Sequence, residues 1–477
     1  MANLHENPMP IGNTIDSYRE EIITSLREII RFPSVREPAL PGKPYGAPAY
    51  EALQYALALG ESWGFKTRNV DGYAGYVEFG EDETGADSET VAVLAHLDVV
   101  PAGQGWTVPP YEGVLEGDRI FGRGASDDKG PAIVALYGLK ALQDAGFRPR
   151  RKIRVILGCS EETGSEDMAY YFSKEPLPLM AFTPDVGYPA INREKGILHL
   201  RMTKGNPDQK AEPGFLCRIQ GGDAINMVPR QCTATIDATR LNEAQIRCLE
   251  QTIGTEGRVS AVRRGDDPNR IILETIGKSS HGAVPELGVN AILLMTKWLG
   301  TLREDGNEAD FDFLQFLNEA LGAGTNGEGL GIDCADSESG ALSMNVGSLH
   351  MDAGSWTVAL DIRYPVSVNG ERIAAAIREK AREVGAELIA DRHTAPLHFP
   401  EDHPLIERLS IAYELHTGKK LELLSTGGGT YARSMGGRGI GFGGAGADAH
   451  SPDEYVEVSD LMQHARICTQ AIYEISR

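Results

Sequence analysis

The sequence predicts an α/β protein into which a second domain, of α+β type, is inserted. Two apolar runs, Val91–Ala95 and Ile153–Gly158, flank a helical pattern that follows Lys129. A strand, a helix and a strand in this order form an α/β unit, and unbroken apolar runs are typical of strands covered by helices on both faces. From Trp356 to Arg363 apolar residues alternate with more polar ones, which predicts a strand with one solvent-exposed face.

The N-terminal helices are predicted from the helical spacing of apolar residues and from the Pro and Gly residues that end them. A helix is predicted from Ile15 to Arg31, because apolar residues recur there every three or four positions and Pro33 stops the pattern. A loop rich in Pro and Gly, Pro38–Pro48, leads to a second helix. The helix after Lys129 is expected to end at Gly146.

The middle of the chain has a different pattern. Helical segments lie there between strands of period two, which favours antiparallel strands with helices on one face over a second parallel sheet. These segments are 242–253, 289–302 and 371–384. We therefore expect a first domain formed by residues 1–188 and 393–477, and an inserted domain formed by residues 189–392. Gly-rich loops and a helix near Leu461 to Ser476 close the chain, and a duplication within the insert is left open.

Bulk composition excludes several classes of protein. Of the 477 residues, 41% are hydrophobic and 24% are charged, which is ordinary for a folded globular chain. A net charge of −22 argues against nucleic-acid binding. We expect no membrane partner, since no run approaches the roughly 18 apolar residues that span a bilayer. Met1 to Pro10 lack the pattern of a signal peptide, and the six cysteines form no CxxC pair, so a cytoplasmic protein with reduced thiols is expected.

Polar residues with metal-binding chemistry follow both apolar runs. His96 and Asp98 come directly after the first run, and the pair Glu161 and Glu162 follows the second. Ligands of α/β sheets bind beyond the carboxyl ends of the strands. Asp98 could accept the second ring N–H of His96, and one glutamate could bind a metal while its neighbour acts as a general base. The alternatives are a polar turn and a pair of solvated glutamates.

Three further segments carry weaker signals of their own. Asp127 and Asp128 precede the predicted helix at Lys129, where they could be helix caps or could include a carboxylate that bridges two cations. Asp185 could be a turn residue, and His450 is one of eleven histidines. Taken together, the five segments supply imidazole and carboxylate ligands without a thiolate, a set that suits zinc.

The order of these segments and their flanking residues resemble the co-catalytic di-zinc amidohydrolases. That family includes aminoacylases, carnosinases, succinyl-diaminopimelate desuccinylases and glutamate carboxypeptidases. His96–Pro101, Trp106, the GRGASDDKGP segment Gly122–Pro131 and Gly427–Tyr431 are most similar to bacterial dipeptidases of the PepV type. The resemblance extends from Phe32 to the last helix. It implies a zinc-peptidase-like catalytic domain with a helix-covered mixed sheet, and an insert that is a ferredoxin-like lid.

The resemblance also implies a role for each of these polar residues. One zinc ion would be held by His96 and Asp185, the other by Glu162 and His450, and Asp127 would bridge the two. Asp98 would orient His96, and Glu161 would be the catalytic base.

The insert contributes residues of its own to this resemblance. His281 matches the lid histidine that stabilises the oxyanion, and Asn226 and Arg363 match positions that grip the substrate. For His281 and Arg363 the alternative is a structural role in the lid. The amides of Gly428 and Gly429 would help Arg363 to hold a substrate carboxylate. The sequence departs from the family pattern at Ser343, where Thr is expected.

The predicted function is hydrolysis of the amide bond of a dipeptide or a similarly small peptide. Two zinc ions per chain would activate the water, with Mn²⁺ or Co²⁺ as other possible occupants of the same ligands. One alternative is an N-acyl amino acid deacylase of the succinyl-diaminopimelate or acetylornithine type. A non-catalytic metal- or peptide-binding protein is disfavoured, because all the expected ligands and the base are present. A monomer is favoured, and a dimer formed through the lid is the alternative.

Overall fold

The computed structural model describes residues 10–81, 89–205, 215–252, 259–264, 269–302, 308–352 and 354–477. Almost all of the segment in which we expected no signal peptide, Met1–Pro10, lies outside the described residues. The chain divides into two compact units. The first consists of residues 1–193, 397–424 and 429–477, and the second consists of residues 194–396 and 425–428.

Helices and strands are numbered here in chain order. The α-helices are α1 Arg19–Ile30, α2 Ala47–Ser62, α3 Lys129–Asp144, α4 Glu166–Lys174, α5 Glu243–Thr252, α6 Ala291–Gly300, α7 Glu308–Phe316, α8 Gly370–Glu383, α9 Pro404–Thr417 and α10 Val458–Ser476. The strands are β1 Lys66–Val70, β2 Ala74–Phe79, β3 Thr90–His96, β4 Val114–Glu116, β5 Arg119–Phe121, β6 Lys152–Gly158, β7 Met180–Thr183, β8 Gly187–Glu194, β9 Gly196–Lys204, β10 Leu216–Gly221, β11 Gln231–Asp237, β12 Val259–Arg264, β13 Arg270–Ile276, β14 Ala335–Asp336, β15 Gly340–Ala341, β16 Ser343–Asp352, β17 Ser355–Tyr364, β18 Glu387–Thr394, β19 Leu397–His398, β20 Leu423–Thr426, β21 Gly439–Gly443 and β22 Tyr455–Glu457.

A nine-stranded mixed sheet forms the centre of the first unit. Its order is β1-β2-β6-β3-β7-β21-β8-β19, and β20 pairs with β8. The four central strands β6, β3, β7 and β21 are mutually parallel, whereas β2 and β8 flank them in antiparallel pairing. The carboxyl ends of the parallel strands therefore lie along one edge of the sheet. The predicted helix-covered mixed sheet is confirmed.

Burial on both faces explains the unbroken apolar run in β3. Val91, Val93 and Ala95 face the larger core, which α3 and α10 help to form. Ala92 and Leu94 face a smaller core on the other side of the sheet. Because successive side chains of a strand point to opposite faces, a strand covered on both sides has no polar position.

The N-terminal helix differs in form from the prediction. Residues Ile11–Tyr18 form a 3₁₀ helix, and only Arg19–Ile30 are α-helical. The backbone N–H of Gly12 donates to Oε1 of Gln470 on α10 at 3.1 Å. A Cβ atom at Gly12 would lie 2.3 Å from the carbonyl oxygen of Arg466. The 3₁₀ helix thus packs closely against α10. The spacing of apolar residues in the sequence does not indicate this contact.

The second unit is built on an eight-stranded antiparallel sheet. Its order is β12-β13-β11-β10-β16-β17-β9-β18. Each half of this sheet contains a hairpin, a helix and an outer strand in the same sequence: β10, β11, α5, β12 in one half and β16, β17, α8, β18 in the other. The α+β insert is confirmed. Its halves show the same order of elements, and the duplication itself stays a prediction.

Two further expectations concern membranes and thiols. Among the described helices, none combines the length and the apolar character needed to cross a bilayer. The five cysteines whose state the structure describes form no disulfide bond: Cys159, Cys217, Cys232, Cys334 and Cys468.

Candidate metal centre

The fold of the first unit brings the predicted ligands to one edge of its sheet. His96 is the last residue of β3, and Glu161 and Glu162 follow β6. Asp185 follows β7, and His450 lies in the loop that follows β21. These four strands are parallel neighbours, so residues remote in sequence meet beyond their carboxyl ends.

Asp127 lies between two histidines. Its Oδ1 is 2.9 Å from Nε2 of His96, and its Oδ2 is 3.1 Å from Nε2 of His450. Nε2 of His450 is also 2.8 Å from Oε1 of Glu162. His450 has a φ of +64°, a conformation that residues other than glycine rarely adopt. One carboxylate therefore contacts a different imidazole with each of its oxygens.

The donor atoms form two overlapping groups that could each hold a cation. One group consists of His96, Glu161 and Asp185, and the other of His96, Asp127 and Glu162, with ligand atoms within 4.8 Å of one another. Nδ1 of His96 lies 2.9 Å from the carbonyl oxygen of Asp98, which can only accept, so Nδ1 carries the proton. In the neutral imidazole the lone pair of Nε2 then faces Asp127. Two electron-rich atoms at this separation fit a shared cation, and imidazole with carboxylates suits zinc.

The carboxylates of the cluster are buried close to one another, which disfavours their negative charges. Burial, and then the carboxylate of Asp127, raise the pKa of Asp185 to about 7. Burial, and then the carboxylate of Asp185, raise the pKa of Glu161 well above its ordinary value. Burial lowers the pKa of His450, but hydrogen bonds to Asp127 and Glu162 outweigh it and raise this pKa to about 11. Bound divalent cations would supply the missing positive charge and replace the protons.

Asp98 supports the site differently from the expectation. The nearer oxygen of its carboxylate is 3.5 Å from Nδ1 of His96, and the backbone carbonyl of Asp98 accepts the hydrogen bond instead. The carboxylate accepts the backbone N–H groups of Glu161 and Glu162, each at 3.1 Å. Asp98 thus fixes the glutamate loop with its side chain and His96 with its main chain.

Asp127 and Asp128 do not serve as helix caps. Asp128 is the residue before α3, and its side chain makes no capping hydrogen bond. Its Oδ2 accepts the backbone N–H of His96 at 3.1 Å instead. The peptide bond between the two aspartates is cis. Of the two interpretations open from the sequence, the arrangement fits the one in which a carboxylate at this helix start lies among metal ligands.

Two buried carboxylates that hold the ligand loops, Asp167 and Glu454, were not predicted from the sequence. Asp167 accepts the backbone N–H groups of Cys159 and Ser160 at 2.7 and 2.8 Å, together with the hydroxyl of Tyr431. Glu454 accepts three backbone N–H groups from the loop that leads into Asp127. Neither residue belongs to a periodic pattern. For Glu454, the one available signal is its position four residues after His450.

A separate cluster in the second unit contains the other predicted residues. The N–H of Gly282 donates to the carbonyl oxygen of Asn226 at 2.7 Å, next to the exposed His281. Arg363 donates from Nε and Nη2 to Asp361, at 2.8 and 3.0 Å. A Cβ atom at Gly282 would lie 2.6 Å from Oδ2 of Asp361, so the ion pair lies directly beside the His281 loop.

The remaining residues of this cluster modify two expectations. Nη1 of Arg363 donates to the carbonyl oxygen of Gly427 at 2.9 Å, so this buried arginine has the structural contacts that were the alternative to substrate binding. The N–H of Gly428 donates to Oγ1 of Thr426 at 3.0 Å, so the amide of Gly428 is not available to a substrate carboxylate in this conformation. Gly429 belongs to the first unit. Ser343 donates to the carbonyl oxygen of Ala283, a bond that Thr would equally make.

A cavity of about 630 Å³ borders the metal centre within the first unit. Asp127 and Asp185 form part of its wall, together with the loop 184–188, the loop 444–446 and part of α10. This volume is in the range of small-molecule sites.

Comparison with known proteins identifies the family. Residues 92–474 match the family model that is described as "Peptidase family M20/M25/M40". The chain belongs to this family of metal-dependent peptidases. The "Putative dipeptidase YtjP" of Bacillus subtilis (strain 168) is 37% identical over 469 residues, which cover 96% of this chain and 98% of that protein.

Other members of the M20 family extend this similarity. The "Beta-Ala-Xaa dipeptidase" of Lactobacillus delbrueckii subsp. lactis is 31% identical over 470 residues, covering 97% of each protein. The crystal structure of human carnosine dipeptidase 1 superposes with a TM-score of 0.61 at 14% identity and covers 98% of both chains, which shows a shared fold. The predicted family and the prediction of a peptide-bond hydrolase are confirmed.

Proposed function

We propose that this M20 peptidase hydrolyses dipeptides with a pair of zinc ions. The observation that carries the proposal is the position of Asp127, whose two carboxylate oxygens face His96 and His450. A carboxylate in this position can bind one cation through each oxygen. When bound, such a pair of cations would lower the pKa of water, polarise the scissile carbonyl and stabilise negative charge on its oxygen.

The proposed ligands follow the geometry of the cluster. His96 and Asp185 would hold one ion, Glu162 and His450 the other, and Asp127 both. Nε2 of His96 lies 3.8 Å from Asp185, and Nε2 of His450 lies 2.8 Å from Glu162, which supports this pairing. The same nitrogen and oxygen ligands would accept Mn²⁺ or Co²⁺.

Glu161 is the proposed general base. Its carboxylate is within 4.8 Å of donor atoms on His96 and Asp185, and Asp98 fixes its backbone. In this role a carboxylate oxygen of Glu161 takes the proton of the attacking water. The same oxygen then passes the proton to the nitrogen of the leaving amine.

Replacement of Glu161 distinguishes a role as general base from a role as metal ligand. Glu161→Gln is expected to lower kcat by about 10²- to 10⁴-fold, because the amide cannot accept the proton. The zinc content, measured by atomic emission, is expected to stay at two ions per chain. Glu166→Gln, at an exposed neighbouring glutamate, serves as the matched control and should keep full activity. Loss of one zinc ion from Glu161→Gln, or undiminished turnover, would contradict the assignment.

His281 is the proposed donor to the carbonyl oxygen of the substrate. The N–H of Ala283 donates to Nδ1 of His281 at 3.2 Å, so the neutral ring carries its proton on Nε2. An Nε2–H group can donate to the oxygen that becomes negative in the transition state. For this role the second unit has to act as the lid that the sequence resemblance implies.

Removing the imidazole should affect turnover more than binding. His281→Ala is expected to lower kcat by about 10²- to 10³-fold with a smaller change in KM, because the lost bond strengthens in the transition state. Steady-state kinetics on a dipeptide measure both constants. His350→Ala removes an exposed histidine on β16 and is the control. An unchanged kcat in His281→Ala would exclude this histidine from the chemistry.

Arg363 is the proposed partner of the substrate carboxylate, with Asn226 as a second contact. Its guanidinium makes three hydrogen bonds to the described residues, one from each nitrogen. One N–H on Nη1 and one on Nη2 are then left to donate to a substrate. Two such groups match a carboxylate.

Dipeptides are the proposed substrate class, because the similar bacterial proteins carry dipeptidase names and the cavity beside the metal centre is small. N-acyl amino acids are the alternative, since the same metal centre would cleave them. A monomer in the cytoplasm remains our expectation.

A substrate panel decides between the two classes. With zinc-loaded protein, kcat/KM is expected to be at least tenfold higher for α- and β-alanyl dipeptides than for N-acetyl and N-succinyl amino acids that share the same C-terminal residue. Each reaction releases one new primary amine, which a ninhydrin assay measures after subtraction of the signal from the dipeptide's own N-terminus. A preference for the N-acyl substrates would replace the dipeptidase proposal with a deacylase.

A further inference from the structure

Glu454 is a fully buried carboxylate that no part of the proposed reaction uses. Its Oε1 accepts the backbone N–H groups of Gly124, Ser126 and Asp127 at 3.0, 2.9 and 3.1 Å. Its Oε2 accepts from Nη1 of Arg123 at 2.6 Å. Every one of these donors belongs to the loop that ends at Asp127.

The same residue lies in the loop that carries His450. The carbonyl oxygen of Glu454 accepts the N–H of Gly122 at 2.9 Å, so both its main chain and its side chain bind the Asp127 loop. Immediately after it, β22 pairs with β5. Ala447 and Tyr455 also exchange two backbone hydrogen bonds, which close the His450 loop on itself. Glu454 therefore joins the loops of two proposed ligands.

The carboxylate is electrostatically unfavourable at this place. It is fully buried beside the acidic Asp127, whose backbone N–H it accepts, and the buried guanidinium of Arg123 is its charged partner at 2.6 Å. An apolar side chain would avoid the repulsion, but it would leave three backbone N–H groups of the ligand loop without an acceptor. The arrangement therefore favours a fixed loop geometry over a lower electrostatic energy.

We propose that Glu454 is a positioning residue for the metal centre, because its carboxylate holds the backbone of Asp127 at a fixed distance from the His450 loop. The two oxygens of Asp127 then face His96 and His450 before any cation binds. This inference rests on the ligand assignment proposed above. Because its carboxylate is fully buried and bonded to the Asp127 loop, Glu454 acts through Asp127 and not on the substrate.

A second buried ion pair in the same unit provides the matched control. Nε of Arg154 donates to Oε2 of Glu78 at 2.7 Å, and both residues are buried in the sheet. Glu78 also lies 3.5 Å from Nζ of Lys66. Neither partner belongs to a ligand loop. Removing the charge of Glu78 should therefore lower stability without moving a metal ligand.

The experiment compares zinc affinity in Glu454→Gln and Glu78→Gln. A glutamine has one acceptor oxygen and one NH₂ group, so it cannot serve three backbone N–H groups and Arg123 together. Zinc is titrated into chelator-treated protein in competition with a chromophoric chelator, and the melting temperature of the metal-free protein is recorded. We expect both variants to melt earlier than wild type. Only Glu454→Gln should bind zinc more weakly, by about 10- to 100-fold.

A second variant covers the case in which Glu454→Gln does not fold. Glu454→Asp keeps the charge but shortens the side chain by one methylene, so it should show the same selective loss of zinc affinity. Zinc affinity equal to that of wild type, or no weaker than that of Glu78→Gln, would overturn the proposal. So would failure of both Glu454 variants to fold where Glu78→Gln folds, because the carboxylate would then serve the fold. A wild-type protein that binds fewer than two zinc ions would instead refute the proposed function.

Discussion

The structure of the first unit depends on how it accommodates carboxylates that repel one another. Six acidic side chains converge beyond one edge of its sheet: Asp98, Asp127, Asp128, Glu161, Glu162 and Asp185. Burial, and then repulsion by a neighbouring carboxylate, raise the pKa of several of them. The proposed pair of divalent cations would remove this repulsion and would thereby link the fold to its chemistry.

The scaffold keeps these groups together through its topology and through buried hydrogen bonds. Four parallel strands place the ligands at one edge of the sheet, and helices on both faces bury these strands. Three more carboxylate contacts then fix the loops: Asp98 and Asp167 hold the glutamate segment, and Glu454 holds the segment of Asp127. All three accept backbone N–H groups, so the ligand side chains stay available for the metal.

Much of this organisation could be predicted from sequence, because the signals were local. The apolar run of β3 and the pair Glu161 and Glu162 each lie within a few residues, and the family resemblance placed His450 with them. The supporting contacts were not predictable, because they join segments far apart in the chain. The residues around Glu454 carry no pattern that predicts its hydrogen bonds to three backbone N–H groups some 330 residues away in the chain. The form of the first helix and the main-chain role of Asp98 likewise depend on tertiary contacts.

The central claim is that Asp127 lies between two cations. X-ray diffraction from zinc-loaded crystals, recorded on both sides of the zinc absorption edge, tests it most directly. We predict two anomalous peaks about 3.5–4 Å apart, one beside each carboxylate oxygen of Asp127. A single peak, or two peaks away from this carboxylate, would contradict it.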